Sequence, residues 1–197
     1  MLERASAIES GRARGSRTPN GDVGVRIGEL RGWSLLQVAG FAGTRTRVDE
    51  AIAAVCGLSV PARIGTAVRK GALLLLRTGP EQLWIIGPGD PMAVEGVLRG
   101  DIAPGMGGVV SLSHSRTRLV IEGPKAREVL AKGIAVDLHP DVFAIDQFAM
   151  TGLDHTPILL LRSSADRYEI LAMRTFALTV WDWLTDAALE FGYELSA

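Results

Sequence analysis

The tetrapeptide Leu74-Leu75-Leu76-Arg77 returns as Leu159-Leu160-Leu161-Arg162, with an offset of 85 residues between the two copies. Ile85 and Ile170 share the same offset. A leucine run can match another by chance, so these identities are weak evidence by themselves. The predicted elements around the two copies follow the same order, and this shared order is the stronger sign of an internal duplication.

Each copy lies within a series of apolar, strand-like stretches and helices with recognisable ends. The first series predicts a strand at 35–39, a helix at 47–56, strands at 64–69, 72–78 and 83–87, and a helix at 90–100. The second predicts a strand at 117–122, a helix at 124–132, strands at 148–153, 157–162 and 168–173, and a helix from 175 to about 190. The sequence therefore predicts an α+β fold of two pseudo-duplicated β-α-β-β-β-α halves, each a ferredoxin-like sheet with helices on one face.

Composition sets the predicted boundaries of these halves. Residues 1–30 are rich in Arg, Gly and Ser and have scarcely any apolar periodicity, so they bury too little apolar surface to order themselves. We predict an extended N-terminal arm over 1–30, which is either solvated or lies on a neighbouring subunit. The first half then spans 31–108 and the second spans 109–197. The Gly-rich stretch 101–108 lacks a phosphate-binding motif and is interpreted as a flexible linker between the halves.

The charge balance limits the partners that this chain can have. With 21 Lys and Arg against 22 Asp and Glu in 197 residues, it has no overall basic field for nucleic acid or an anionic membrane. Its longest strongly apolar run, 72–76, is far shorter than the roughly 20 residues that span a bilayer. The first residues lack the apolar core of a secretory signal, and Cys56 has no second cysteine to pair with. These features predict a cytoplasmic protein.

No cluster of residues predicts catalysis or metal binding. Three histidines lack metal-ligand spacing, since at least 16 residues separate each from the next: His114, His139 and His155. Three aspartates share a proline-containing connection in which turn formation explains them: Asp137, Asp141 and Asp146. We therefore predict no catalytic, cofactor-binding or metal-binding residue on this chain.

The last predicted helix has a wider apolar face than one sheet can cover. Two adjoining apolar stripes run along it: Ala177, Val180, Trp181, Leu184 and Ala188, and Phe176, Val180, Trp183 and Ala187. The second cover is either the matching half of this chain or another protein, and tryptophans are enriched at binding hot spots. A positive mean hydropathy of +0.21 without a membrane span also favours a partner. The candidate partner interface consists of Arg174, Phe176, Trp181 and Trp183.

A longer segment of the chain resembles a known family. Its markers are Gly123-Pro124 with Ala126-Arg127, Asp137-Leu138, Phe143, Thr151-Gly152-Leu153, Arg174-Thr175-Phe176-Ala177 and Trp181-Asp182-Trp183-Leu184. This pattern is similar to the gamma subunits of heterotetrameric bacterial sarcosine oxidases, with Thr175 where serine is usual. The resemblance is strong after residue 111 and loose from about 24 to 110, and residues 1–23 lie outside it.

The resemblance implies a noncatalytic subunit of an oxidoreductase. Such enzymes oxidise the N-methyl group of sarcosine at FAD, pass the methylene group to tetrahydrofolate and send electrons through FMN to oxygen. The products are glycine, methylenetetrahydrofolate and hydrogen peroxide. The resemblance further implies alpha, beta and delta subunits as partners, which carry the FAD, FMN, NAD, tetrahydrofolate and zinc. The gamma subunit itself is expected to have the fold of the folate-binding part of the glycine-cleavage T-protein and no cofactor of its own.

Two alternatives remain open. The first is a stand-alone folate-binding or one-carbon-transfer protein of the T-protein superfamily, although 197 residues are few for that architecture with its C-terminal barrel. The K-G-C-x-x-G-Q motif of the related iron–sulfur assembly branch is also absent, since Cys56 lies between Val55 and Gly57. The second alternative is a homo-oligomeric module whose tryptophan-bearing helix pairs with itself.

Overall fold

The computed structural model describes residues 5–12, 15–18 and 21–196. The elements of the first part of the chain are α1 (Glu9–Arg12), β1 (Val25–Glu29), β2 (Trp33–Gly40), α2 (Arg45–Cys56), β3 (Ala67–Lys70), β4 (Leu73–Arg77), β5 (Gln82–Pro88), α3 (Met92–Asp101) and β6 (Gly107–Ser111). Those that follow are β7 (Arg116–Glu122), α4 (Ala126–Ala131), β8 (Phe148–Leu153), β9 (Thr156–Ser164), β10 (Arg167–Met173), α5 (Ala177–Ala187) and β11 (Tyr193–Leu195). All twelve predicted strands and helices are present, and the α+β fold class is confirmed.

The first unit is built from the described residues up to Arg31 and from His114 onward. Its six-stranded sheet has the order β11-β1-β7-β10-β9-β8, in which only β11 and β1 run parallel. Helices α4 and α5 cover one face, where they bury apolar side chains against alternate residues of the central strands, such as Leu119 and Ile170. This alternation is what a sheet with one helix-covered face requires of its strands.

The second unit spans 32–113 and has a five-stranded antiparallel sheet of order β3-β4-β5-β2-β6. Helices α2 and α3 cover one face. Ile52 of α2 and Leu98 of α3 are completely buried there against strand residues such as Val38 and Leu75. Gly57 ends α2 in the left-handed conformation, with φ of 58°, and its N–H donates to the Ala53 carbonyl.

Strands β1 and β6 occupy matching places in the two sheets, although they lie in different halves of the sequence. Strand β1 lies beside β7 and β6 lies beside β2, both antiparallel. Each is followed in the chain by a strand of the other unit, since β1 leads into β2 and β6 leads into β7. The first strand of each sequence repeat therefore belongs to the sheet formed by the other repeat. Strand β1 pairs within the sheet of β7–β10, and β6 pairs within the sheet of β2–β5.

This exchange corrects the predicted boundaries. The arm predicted over 1–30 contains a strand of the first sheet, in which Ile27 is buried opposite Ile121. The predicted linker 101–108 runs into β6, and a side chain at Gly107 would lie 2.3 Å from the Ala39 carbonyl oxygen. Glycine at this position permits a close approach of two strands. The chain passes from one unit to the other between residues 31 and 32 and back between 113 and 114, so the first unit is not continuous in sequence.

The repeated arginines fix equivalent loops in the two units. Arg77 and Arg162 are both buried, at 1% and 6% exposure. The Arg77 carbonyl accepts a bond of 3.1 Å from the Gly65 N–H, and the Arg162 carbonyl accepts one of 2.8 Å from the Asp146 N–H. Gly65 and Asp146 both have positive φ, at 81° and 62°. The duplication thus extends to the conformation of the loop before β3 and before β8.

Candidate partner interface

Trp181 lies in the core of the first unit, which corrects its prediction as an interface residue. Its side chain is completely buried, with Val180 and Leu184 in the same apolar cluster. The indole is covered by α1, where a side chain at Gly11 would lie only 2.5 Å from Trp181 Cδ1. The buried Nε1–H has no hydrogen-bond partner among the described residues. The wide apolar face of α5 is therefore real, but part of its cover comes from this chain's own N-terminal segment.

A buried carboxylate holds this N-terminal segment in place. Glu29 of β1 accepts hydrogen bonds from Ser6 Oγ at 2.6 Å, from the Ala7 N–H at 3.3 Å and from Thr117 Oγ1 at 3.2 Å. Ile8 follows and is completely buried in the same core as Trp181. Ile8 is the large apolar side chain of this stretch, and it is the signal by which the sequence could have shown that the stretch is packed.

Arg174 contributes to the same attachment. Its Nη2 donates a hydrogen bond of 2.6 Å to the Ala5 carbonyl, so the guanidinium is engaged within the chain. Its own N–H donates to the Ser115 carbonyl at 2.9 Å. Arg174 therefore joins the start of the last helix to the N-terminal segment and to the strand connection before β7.

Trp183 packs between α5 and the end of α4. It is half-buried, and a side chain at Gly133 would lie 2.3 Å from Trp183 Cζ2. Close by, Lys132 Nζ donates to the Ala187 carbonyl at 2.6 Å and lies 4.7 Å from the centre of the Phe191 ring. A cation at the end of a helix is favourable, because the last carbonyls are otherwise unpaired. The packing of Trp183 and the hydrogen bond of Lys132 thus hold the end of α4 against α5.

Phe176 is the member of the predicted set that the structure leaves most exposed. Its side chain is 38% exposed in a single 3-10 turn, Arg174–Phe176, just before α5. Met173 and Leu178 on either side are exposed by 42% and 40%. The four predicted residues therefore separate into one core residue, two that join elements of the chain, and one on the surface.

The other candidate residues lie where turns and surfaces place them. His155 and His139 are exposed, and the Asp137 carboxylate accepts a bond of 2.8 Å from the His139 N–H. Cys56 is half-buried, and burial raises the pKa of its thiol, which disfavours the reactive thiolate. Within the described residues, no group of three or more His, Cys, Asp or Glu could hold a metal ion. No helix in that part of the chain is long and apolar enough to cross a membrane.

An open cleft of about 420 Å³ lies at one end of the first sheet, beside Gly123-Pro124 and the turn at 164–167. Both arginines that line it are already paired, Arg167 with Glu122 and Arg26 with Glu194. No aromatic side chain, histidine or cysteine is among its lining residues. The cleft offers neither a flat apolar surface for a pterin ring nor an unpaired arginine for a carboxylate, so tetrahydrofolate does not fit it.

Comparisons with known proteins agree with the family resemblance. The sequence profile described as "Sarcosine oxidase, gamma subunit family" matches residues 43–190. Sarcosine oxidase subunit gamma from Corynebacterium sp. strain U-96 is 29% identical over 192 residues, which cover 97% of this chain and 92% of that protein. Sarcosine oxidase subunit gamma from Arthrobacter sp. is 33% identical over 160 residues, which cover 78% and 73% of the two chains.

Solved structures extend this likeness to the whole fold. A chain of the heterotetrameric sarcosine oxidase from Corynebacterium sp. U-96, in complex with pyrrole 2-carboxylate, matches with a TM-score of 0.85 and 28% identity. The match covers 95% of this chain and 96% of that one. Glycine cleavage system aminomethyltransferase T from Bartonella henselae shares the fold, with a TM-score of 0.70 and 16% identity over 98% of this chain and 59% of that one. This chain belongs to the sarcosine oxidase gamma subunit family.

Proposed function

We propose that this chain is the noncatalytic gamma subunit of a heterotetrameric complex that oxidises sarcosine. The observation that carries the proposal is the likeness to a chain of a heterotetrameric sarcosine oxidase, which extends over 95% of this chain and 96% of the other. A likeness over nearly all of both chains favours the same place in the same kind of assembly.

The charged groups inside the units support a structural role. Arg118 and Glu169 form a buried ion pair on the first sheet, with Arg118 Nε 2.9 Å from the carboxylate. Arg77 and Arg162 hold loops through carbonyl and carboxylate partners. Arginines that are paired in this way hold strands and loops of the fold together, which is a structural role.

The chemistry of the complex then belongs to the proposed partners, the alpha, beta and delta subunits. In such a complex FAD would accept a hydride from the N-methyl group of sarcosine, tetrahydrofolate would accept the resulting methylene group, and FMN would pass the electrons to oxygen, which is reduced to hydrogen peroxide. In this proposal the FAD, FMN, NAD, tetrahydrofolate and zinc lie on the other subunits, and this chain lies with them in the cytoplasm.

A stand-alone folate-binding protein is the second candidate, which the fold shared with aminomethyltransferase T favours. The decisive experiment expresses the chain alone and together with the flavin-, folate- and zinc-binding subunits. We expect the isolated chain to bind neither flavin nor tetrahydrofolate in calorimetric titrations, and to co-purify stoichiometrically with the other three. Sub-micromolar folate binding by the isolated chain, or failure to co-purify, would contradict the subunit role.

A further inference from the structure

The two sheets of this chain have four edge strands, and three of them are covered or charged over at least part of their length. The backbone of Arg17 covers β11, since it exchanges hydrogen bonds of 2.9 and 2.6 Å with Tyr193. Strand β8 is bridged at one end, where Ile134 lies opposite Leu153. Strand β3 is short and carries Arg69 and Lys70. Covering segments and charges of this kind prevent an edge from pairing with another chain.

Strand β6 has no such protection along its length. Its sequence, Gly-Gly-Val-Val-Ser over 107–111, contains no charge and no proline. Gly108, Val110 and Ser111 are exposed, and the space beside Gly108 contains no atom within 4 Å of a Cβ built there. By the same rule, β6 is the edge of the described structure that is best suited to accept a further strand.

The register of β6 against β2 determines which backbone groups point outward. The Phe41 N–H binds the Met106 carbonyl at 2.9 Å, and the Leu112 N–H binds the Leu35 carbonyl at 2.8 Å. Hydrogen-bonded pairs alternate in an antiparallel ladder, so the intervening even-numbered residues face β2. The N–H and C=O groups of three residues therefore face away from the sheet: Gly107, Val109 and Ser111. No backbone hydrogen bond among the described residues outside the β2 ladder reaches these groups.

The side chains along this edge are uncharged, and the exposed one at its centre, Val110, is apolar. Val110 lies opposite Gln37 and is 50% exposed. Phe41, beside the start of β6, is 56% exposed. A strand added to this edge would place one of its side chains next to Val110 on the same face, where an uncharged, apolar residue would be favoured over a charged one.

We propose that an extended, uncharged segment of another subunit of the complex adds to the outer edge of β6 and continues the second sheet. The inference rests on the proposed function, which supplies a non-identical partner. Three outward-facing peptide groups at alternate positions fit an added strand, which gains affinity from main-chain hydrogen bonds. A different subunit is the occupant because the full-length structural relative is one chain of a heterotetramer.

Ser111→Pro tests how much the outward-facing backbone of β6 contributes to binding of the partner subunit. Ser111 is exposed and its N–H points outward, so proline removes one outward donor and no bond to β2. Ser111→Ala is the matched control, since it removes the hydroxyl and keeps the N–H. Val110→Lys tests the side-chain contribution. Its control is Val97→Lys on α3, where valine is similarly exposed, at 53%.

We expect Ser111→Pro and Val110→Lys each to lower recovery of the chain with its partner subunits about tenfold, as the loss of one central interface contact does. The two controls should co-purify like the unmodified chain. In hydrogen exchange, the amides of Gly107, Val109 and Ser111 should exchange slowly in the whole complex and rapidly in the isolated chain. If Ser111→Pro fails to fold, Val110→Lys and the exchange data decide the question.

Other outcomes overturn the inference in distinguishable ways. If the unmodified chain co-purifies but the variants do too, or if the three amides exchange equally fast in the complex, β6 is not the docking edge and the proposed function stands. If the unmodified chain does not co-purify at all, the proposed function fails first. If the isolated chain forms a dimer that Ser111→Pro separates, a second copy and not another subunit occupies the edge.

Discussion

Arg77 in the second unit and Arg162 in the first occupy matching positions but have different partners. Arg77 Nη2 binds the Asp49 carboxylate on α2, and its Nε donates to the Pro61 carbonyl at 3.0 Å. Arg162 binds carbonyls only, with Nη1 2.7 Å from the Phe143 oxygen and Nη2 2.8 Å from the Ala165 oxygen. One loop is thus held by an ion pair, and its counterpart is held by neutral acceptors.

The backbone around these arginines is much more alike than the side chains are. The Arg77 N–H donates to the Thr66 carbonyl at 3.1 Å, and the Arg162 N–H donates to the Gln147 carbonyl at 3.0 Å. The same main-chain bonds thus form in both loops, although the residues and side-chain partners differ. The guanidinium needs only acceptors within reach, so the two units satisfy the same buried cation in different ways.

The largest loss of stability is expected at the last helix of the first unit, where the two units differ in the size of the buried side chain. Trp181 on α5 and Leu98 on α3 are both completely buried, but the indole is far larger and also carries the N-terminal segment. We expect Trp181→Ala to lower the free energy of unfolding by about 3–5 kcal/mol. Urea titration measures this loss, and proteolysis near Ile8 should become faster as α1 loses its support.

Trp183→Ala is the control for this prediction. Trp183 is half-buried, so its removal should cost clearly less stability than the removal of Trp181. If the two variants were equally stable, the core position of Trp181 would be wrong. If Trp183→Ala kept its stability and lost the partner subunits, Trp183 would belong to an interface.

The second prediction compares the stability lost when each of the two arginines is replaced by methionine. Arg77→Met leaves the half-buried Asp49 without its closest cation, and Asp49 Oδ1 already has no hydrogen-bond partner. Loss of one member of such a pair costs about 3–5 kcal/mol, and partial exposure of Asp49 favours the lower end. Arg162→Met leaves neutral carbonyls unpaired, which costs about 1–3 kcal/mol. Unfolding of the two variants under the same conditions measures the difference.

A double variant provides the control for Arg77. Replacing Asp49 as well, in Arg77→Met with Asp49→Leu, removes the carboxylate that has lost its closest cation and keeps only Arg45, 3.6 Å away, and should recover part of the lost stability. Equal losses for Arg77→Met and Arg162→Met would mean that the carboxylate contributes nothing, and the ion pair would then be only a geometric coincidence.

The sequence predicted the elements better than it predicted their connections. Apolar periodicity located all twelve predicted strands and helices, because each buries one face and the spacing of its apolar residues in the sequence follows that face. It missed β1, β6 and β11, whose positions depend on pairing with distant segments. Val25 and Ile27 alternate as strand residues do, but nothing local shows that their partner is β7. The glycines at the start of β6 made 101–108 resemble a linker, so the beginning of this strand was not predicted.

The predicted interface met a similar limit. Periodicity correctly showed that α5 has too much apolar face for one sheet, but it could not show that Ile8 and Gly11 cover part of it. The sequence alone does not show that Gly11 is a contact residue, because this depends on the position of the Trp181 indole in the folded chain. The exposed Val110 and the uncharged β6 edge gave no signal either, because exposure at an edge depends on sheet order and not on residue type.

The third prediction sharpens the comparison of the two loops. Gly65, with φ of 81°, tolerates this conformation freely, whereas Asp146, with φ of 62°, is a non-glycine residue in the left-handed region. We expect Gly65→Ala to cost about 1–2 kcal/mol and Asp146→Gly to change stability by less than about 1 kcal/mol. Thermal unfolding of both variants measures these values. A larger loss for Asp146→Gly would show that the aspartate side chain holds its loop.

The smallest expected effect concerns pH and is confined to the first unit, which contains both tyrosines, Tyr168 and Tyr193. Burial raises the pKa of the Tyr168 phenol, and Asp166 acts in the same direction, while Arg162 and Arg127 oppose them. In the unfolded chain the phenol ionises near pH 10. The contribution of the neutral, buried phenol to stability is thus complete below about pH 10 and is lost as the pH rises toward the higher pKa of the folded state.

Tyr168→Phe isolates this contribution, because phenylalanine keeps the ring in the core and cannot ionise. We expect the urea midpoint of the unmodified chain to fall above about pH 10 and that of Tyr168→Phe to fall less. Arg162→Met should steepen the fall, because it removes a cation that favours the phenolate in the folded state. Arg77→Met should leave the slope unchanged, since Arg77 belongs to the unit that has no tyrosine. Equal slopes for the two arginine variants would therefore contradict the electrostatic difference between the matching positions, even if their stabilities at neutral pH differ as expected.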